Sequence, residues 1–194
     1  MSKIIVIEGP DRVGKATQVD LLKKYLMDKN YVVSTVEVPL RSNFMYSMIY
    51  WMLENGAARK FPSLFQLCQY FNKQIFQWTI LPKLESHCDY VIMDRWRLSS
   101  VIYGEAMNVS SSFLLCLYNM LRKPDFTLVL MGDSHLHTAE DSYEADDALQ
   151  KSVRQKYSSW AQQKSEPAEL INSKDTKSNI LKNIVDCLSQ AKII

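Results

Sequence analysis

Near the start of the chain, Gly9-Pro10-Asp11-Arg12-Val13-Gly14-Lys15 has the spacing GxxxxGK. Two glycines allow the chain to curl so that backbone N–H groups point inward at an anion, and the lysine reaches the outer oxygens of a polyphosphate. The next position ordinarily offers magnesium a hydroxyl. Here it is Ala16, with Thr17 one residue later. Mg²⁺ accepts water readily and is bound largely through substrate phosphates, so nucleotide binding should survive the substitution. Further charge clusters at Asp94-Arg95 and at Arg41, just past Pro39. Guanidinium forks match phosphate oxygens, and a carboxylate suits a hard cation; the bland alternative for Asp94 is a salt bridge to Arg95. His135-Leu136-His137 has the look of a metal pair. With His87 as the only other histidine and no cysteine nearby, it reads as a solvated segment.

These residues need a frame that gathers them. Ile4-Ile5-Val6-Ile7 is a continuous β-branched run, the pattern of a strand buried on both faces, and residues 17–27 then place Val19, Leu22 and Leu26 at helical spacing. The phosphate loop therefore lies between a strand and a helix. Residues 31–38 predict a second strand closed by Pro39, and 43–54 a helix with Met45, Met48, Ile49 and Met52 on one side. From 62 to about 85 one long helix is expected, its Leu64, Leu67, Phe71, Ile75 and Trp78 forming a stripe that should face the core. Tyr90-Val91-Ile92-Met93 is a third strand ending in Asp94-Arg95, followed by helices at 98–107 and 111–121 and a fourth strand at 126–131. After an aperiodic stretch come a helix at 149–163, a short strand at Leu170-Ile171 and a helix at 178–188. Strands alternating with helices imply right-handed crossovers and an α/β fold, a parallel sheet flanked by helices on both faces. Ligands bind at the carboxyl ends of such strands, where residues 8–15, 39–41, 94–95 and 132 onward should meet.

Composition narrows the possibilities. With 194 residues, 47% apolar and 23% charged, the chain suits a single domain over 1–194 with a short lid at about 132–148. A formal charge of +2 provides no strong global field for a nucleic-acid polymer, so local clusters must carry any anion binding. Uncharged apolar stretches fall far short of the roughly 20 residues a membrane helix requires, so no membrane partner is expected. Cys68, Cys88, Cys116 and Cys187 are widely spaced without a CxxC pair, which points to a reducing, cytoplasmic setting.

The loop with Thr17-Gln18 behind it, together with Asp94-Arg95-Trp96-x-x-Ser99, resembles the thymidylate kinases, a family of P-loop nucleoside monophosphate (NMP) kinases. In that family the loop reads GxDxxGK-[ST]-TQ and the strand-end motif DRYxxS; Ala16 and Trp96 depart from it. The resemblance spans nearly the whole chain and implies a P-loop NMP-kinase-like fold. It implies ATP binding by Gly9, Pro10, Asp11, Arg12, Val13, Gly14, Lys15, Ala16 and Thr17, with Asn172 and Lys174 in the place of an adenine-contacting loop. Arg12, Lys15, Asp94 and Arg95 take catalytic places, Asp94 as the group near Mg²⁺ through water. Residues 131–150 contain no Lys or Arg, so the cation for phosphoryl transfer falls to Arg12.

For the acceptor, the resemblance has Asp11 accept from the 3′-hydroxyl and Arg41 and Arg95 hold the monophosphate. Tyr70 stands for an aromatic that stacks on the base, and Gln74 falls where an arginine would contact its edge. An amide there predicts modest discrimination among bases. Ser99 and Ser100 approach the base, Tyr103 lies near the sugar, and Tyr143 within Asp141-Ser142-Tyr143-Glu144 faces the nucleoside from the end of the lid. The implied reaction moves the γ-phosphoryl of ATP to a pyrimidine deoxynucleoside monophosphate, chiefly dTMP to dTDP, with Mg²⁺ as cofactor, in a homodimer formed through the apolar helices. A deoxynucleoside kinase, and a nucleotide-binding protein with little turnover, are the rival readings. The first lacks the loop aspartate seen here as Asp11; the second is favoured by Ala16.

Overall fold

The computed structural model describes residues 2–132, 146–163 and 167–194. Its central strands are the β-branched runs. β1 (Lys3–Glu8) has neighbours on both sides, β3 (Tyr90–Asp94) and β4 (Phe126–Met131), while β2 (Val33–Glu37) and β5 (Ala168–Asn172) take the edges. The order is β2-β3-β1-β4-β5 and every pairing is parallel. Ile7 lies opposite both Asp94 and Leu128, so the carboxyl ends of the three inner strands open on one rim.

The helices are α1 (Lys15–Met27), α2 (Phe44–Glu54), α3 (Ala57–Lys60), α4 (Pro62–Thr79), α5 (Leu81–His87), α6 (Arg97–Ala106), α7 (Ser111–Tyr118), α8 (Asp147–Gln163) and α9 (Lys177–Gln190). Alternate residues of a strand point to opposite faces. Ile5, Ile7, Ile92 and Leu128 accordingly pack with Val19, Leu22 and Leu26 of α1 and Ile180, Ile184 and Leu188 of α9. Ile4, Val6, Val91 and Met93 pack on the other face with Phe76, Trp96, Leu114 and Tyr118. A third cluster, around Ile49, Met52, Phe65, Ile102, Val153 and Tyr157, holds the α2, α4, α6 and α8 layer above the rim.

The structure corrects the expectation for residues 62–85 in two ways. The single long helix is two, α4 and α5, because Pro82 has no N–H to donate and its ring would clash with the carbonyl of Trp78. In the first turn of α5 neither matters. The apolar stripe also faces outward: Leu64, Phe71 and Trp78 are exposed, while α4 buries Phe65, Gln66, Cys68, Asn72, Lys73 and Phe76. Partners satisfy several of those polar groups. Tyr118 donates to the carbonyl and side-chain oxygens of Gln66, and Asn72 clamps both backbone polar groups of Leu40. The expected lid at about 132–148 lies for the most part outside the described residues.

Candidate active site

The chain leaves β1 in conformations that only certain residues adopt. Gly9 has φ +140°, and a Cβ there would overlap the carbonyl oxygen of Leu130; Gly14 has φ +88° just before α1. Arg12 and Arg95 are also left-handed, at φ 62° and 66°, which is costly for residues with a Cβ and clusters at functional sites. Lys15 is buried, and its Nζ donates to the Pro10 carbonyl over 2.6 Å, across the loop it belongs to. Burial pulls its pKa down to about 8, assisted by Arg95 and opposed by Asp94, Asp11 and Glu8.

Glu8 ends β1 and is buried among donors. It accepts from the backbone N–H of Trp96 at 2.8 Å and of Ser99 at 3.3 Å, from the Ser99 hydroxyl, and from Tyr157 at 3.2 Å. A carboxylate from a neighbouring strand thereby satisfies orphan N–H groups at the start of α6 and ties α8 to the sheet.

Arg95 and Asp11 form the centre of the site. Arg95 pairs with one carboxylate oxygen of Asp11 and donates to the Gly9 carbonyl at 3.2 Å and to Ser99 at 3.1 Å. The other Asp11 oxygen accepts from Tyr103 at 2.6 Å and from Gln150 at 2.7 Å. Burial works against charge on Asp11, yet Arg95, Lys15 and these two donors outweigh it, so its pKa is lowered. Asp94 goes the other way: burial raises its pKa against the pull of Lys15 and Arg95. Its Oδ1 is buried with no hydrogen-bond partner among the described residues.

Two cavities meet at this pair. The larger, about 840 Å³, is walled by the loop from Asp11 to Gln18, by Asp94, and by Asp175, Thr176 and Lys177 at the start of α9. The smaller, about 160 Å³, is walled by Leu53, Phe65, Gln66, Gln69, Lys73, Ser99, Ser100 and Tyr103. Asp11, Arg95, Val38 and Pro39 belong to both.

The structure thus gathers Asp11, Arg12, Val13, Gly14, Lys15, Ala16, Thr17, Asp94 and Arg95 around the larger cavity, and Ser99, Ser100 and Tyr103 around the smaller. Arg41 lies at the surface, 3.4 Å from Glu37, and lines neither. Asn172 and Lys174 are exposed and line neither; Asp175, Thr176 and Lys177 take that side. Tyr70 and Gln74 do not line the smaller cavity. Tyr70 packs against Tyr118 and Phe71 with its hydroxyl 3.4 Å from the Met120 sulfur, and the wall is formed one helical position earlier, by Gln69 and Lys73. Tyr143, His135 and His137 fall outside the described residues. Sequence reasoning missed Gln150, Gln69 and Lys73. The last two share one face at i and i+4 and carried a visible signal, polar residues in step within an apolar helix. Gln150 carried none.

A strand-to-helix phosphate loop on an all-parallel sheet, with a second cavity meeting the first at Asp11 and Arg95, defines a P-loop kinase of the nucleoside monophosphate class. The thymidylate kinase family model matches residues 7–184, and the chain belongs to that family. It is 31% identical over 147 residues to thymidylate kinase of Neorickettsia sennetsu, covering 72% of this chain and 71% of that one. It is 26% identical over 204 residues to a probable thymidylate kinase of Thermococcus gammatolerans, covering 98% and 97%. The solved thymidylate kinase of Candida albicans superposes with a TM-score of 0.79 at 22% identity, over 99% of this chain and 93% of that one.

Proposed function

We propose that the chain transfers the γ-phosphoryl group of ATP to dTMP, giving dTDP and ADP, with ATP in the larger cavity and the monophosphate in the smaller. The observation that carries this reading is the junction of the two cavities at Asp11 and Arg95, beside Lys15. Phosphoryl transfer asks mainly for positioning and for positive charge around the moving group. Loop N–H groups and Lys15 hold the donor phosphates, and Arg12 supplies transition-state charge from the same loop. Arg95, anchored on Asp11, holds the acceptor phosphate, while Arg41, at the surface beside Glu37, stands outside both cavities. Tyr103 packs its ring 5.3 Å from the Arg95 guanidinium and fixes its plane.

The residues present fit magnesium. Asp94 lines the larger cavity and carries a buried oxygen without a hydrogen-bond partner among the described residues, and Ala16 beside it offers no ligand oxygen, which leaves that place to water. Mg²⁺ held by Asp94 through water and by the nucleotide would neutralise phosphate charge.

The exposed apolar faces of α2 and α4, with Phe44, Trp51, Leu64, Phe71 and Trp78, are assigned to a second copy of the chain. No helix of the described residues is long and apolar enough to cross a membrane, and the cysteines are free. We place the enzyme in the cytoplasm. An assay of ADP release against a panel of nucleoside monophosphates tests the reading. Turnover with dTMP supports it; ATP binding without transfer to any monophosphate, or transfer to deoxynucleosides instead, overturns it.

A further inference from the structure

Glu8 is 1% exposed at the end of β1 and lines neither cavity, yet its bonds converge on one residue that lines both, Arg95. Its two oxygens divide the work. Oε1 accepts from the backbone N–H groups of Trp96 and Ser99, and Oε2 accepts from the hydroxyls of Ser99 and Tyr157. Trp96 follows Arg95 directly, and Ser99 lies one helical turn beyond it. Arg95 stands in left-handed backbone at φ 66°, its own N–H on the Ile7 carbonyl at 3.0 Å, so Glu8 and its neighbour in β1 hold the turn on both sides.

The Ser99 hydroxyl is the meeting point. Arg95 Nη1 lies 3.1 Å from it and the Tyr157 hydroxyl 2.9 Å. A guanidinium only donates and a carboxylate only accepts, whereas a serine hydroxyl has one proton and two lone pairs. The serine proton therefore goes to Glu8, since two oxygens in contact repel without a proton between them, and a lone pair is turned to Arg95. Nη1 also donates to the Gly9 carbonyl, and Nη2 to Asp11. Both Nη1 protons are thereby committed to protein, so a phosphate is met through Nη2 and Nε.

We propose that Glu8 is a positioning residue for the acceptor: through the Ser99 hydroxyl it fixes the direction in which the Arg95 guanidinium meets the acceptor's phosphate. This rests on the kinase reading and deepens it. Glutamine has nearly the shape of glutamate and reverses one end of it. In Glu8→Gln the two backbone N–H groups keep the oxygen, so the amide nitrogen takes the place of Oε2 and donates to Ser99. The serine proton then turns toward Tyr157 or Arg95, and the lone pair that received Nη1 is lost or shared. Asp11 and Gly9 still hold Arg95, so acceptor binding weakens without vanishing.

The test is calorimetric titration with dTMP and with ATP, alongside steady-state kinetics, on the full native chain, Glu8→Gln, Ser99→Ala and the double variant. Each single change is expected to weaken dTMP binding and raise its KM by about tenfold or more, the scale of one hydrogen bond to a charged group, with ATP affinity unchanged. A general loosening of the fold would move both ligands. Because Glu8 acts through Ser99, Glu8→Gln should add nothing once Ser99 is replaced by alanine. Additive losses, equal losses for ATP and dTMP, or unchanged dTMP affinity in either single variant overturn the proposal. Where Glu8→Gln does not fold, Ser99→Ala decides alone: a loss confined to dTMP supports the proposal and no loss overturns it. The expected pattern of binding without phosphoryl transfer supports it and overturns the kinase reading alone. A native chain that binds ATP but not dTMP overturns both.

Discussion

A buried lysine that forms an ion pair with no carboxylate among the described residues, with Glu8 acting on it only from a distance, should weaken the fold that contains it, and Lys73→Met exposes how much. Methionine has a similar length and an unbranched stem, so it fills the same space. Burial pushes the Lys73 pKa in the folded chain down to about 7, from the ordinary lysine value of 10.5 that applies when it is unfolded. Below pH 7 both states carry the proton and the whole penalty is present. Between 7 and 10.5 the unfolded chain binds more protons than the folded one, so stability rises with pH; above 10.5 the penalty is gone. At pH 6.5 the penalty comes to about 5 kcal/mol and at pH 9.5 to about 1 kcal/mol, from about 1.4 kcal/mol per tenfold change in proton affinity. Against it stand the hydrogen bond to Ser100 and the contact with Tyr118, together about 2 kcal/mol when the amine is charged. The variant is therefore expected to gain about 3 kcal/mol at pH 6.5 and nothing at pH 9.5. Urea unfolding at both pH values measures this directly through the transition midpoint. A gain of equal size at both, or none at pH 6.5, refutes the reasoning.

Gly9→Ala places a methyl group against the Leu130 carbonyl at a φ of +140°, so ATP binding measured by titration should be lost while far-ultraviolet circular dichroism keeps the native helix signal. Arg12→Ala is expected to lower kcat about 10³-fold with ATP affinity nearly unchanged, since the side chain acts on charge that develops only in transfer; equal turnover would return the role to another cation. Trp78→Glu puts a charge into the exposed apolar face of α4; with that face covered by a second copy as proposed, sedimentation should report a dimer for the native chain and a monomer for the variant at the same concentration.

The frame and the phosphate loop were legible because local patterns determine them. Ile4-Ile5-Val6-Ile7 can be satisfied only between two neighbouring strands, and glycines at 9 and 14 answer a backbone requirement that does not depend on distant residues. The base-side wall was less legible because it depends on the rotation of α4, and neighbouring positions on a helix differ by about 100°. Tyr70 and Gln69 are adjacent in the chain, yet one packs on Tyr118 and the other lines the cavity. Arg95 seeking Asp11, and Gln150 arriving at the same carboxylate from α8, are long-range pairings that no spacing records.

α4 shows why an apolar stripe is an ambiguous signal. A stripe identifies the side of a helix that avoids water, and it does so equally well for a core or for a second protein chain. Here the side facing the sheet is partly polar because it must serve the cavity: Gln66, Gln69 and Lys73 line it, and Asn72 holds the Leu40 loop beside it. The space those groups occupy is lost to apolar packing, and Leu64, Phe71 and Trp78 are exposed among the described residues. The polar inner face and the apolar outer face thus have one cause. An acceptor site built on a helix of this kind leaves the outer face to the second copy proposed above, and that arrangement would link the substrate pocket to the assembly of the enzyme.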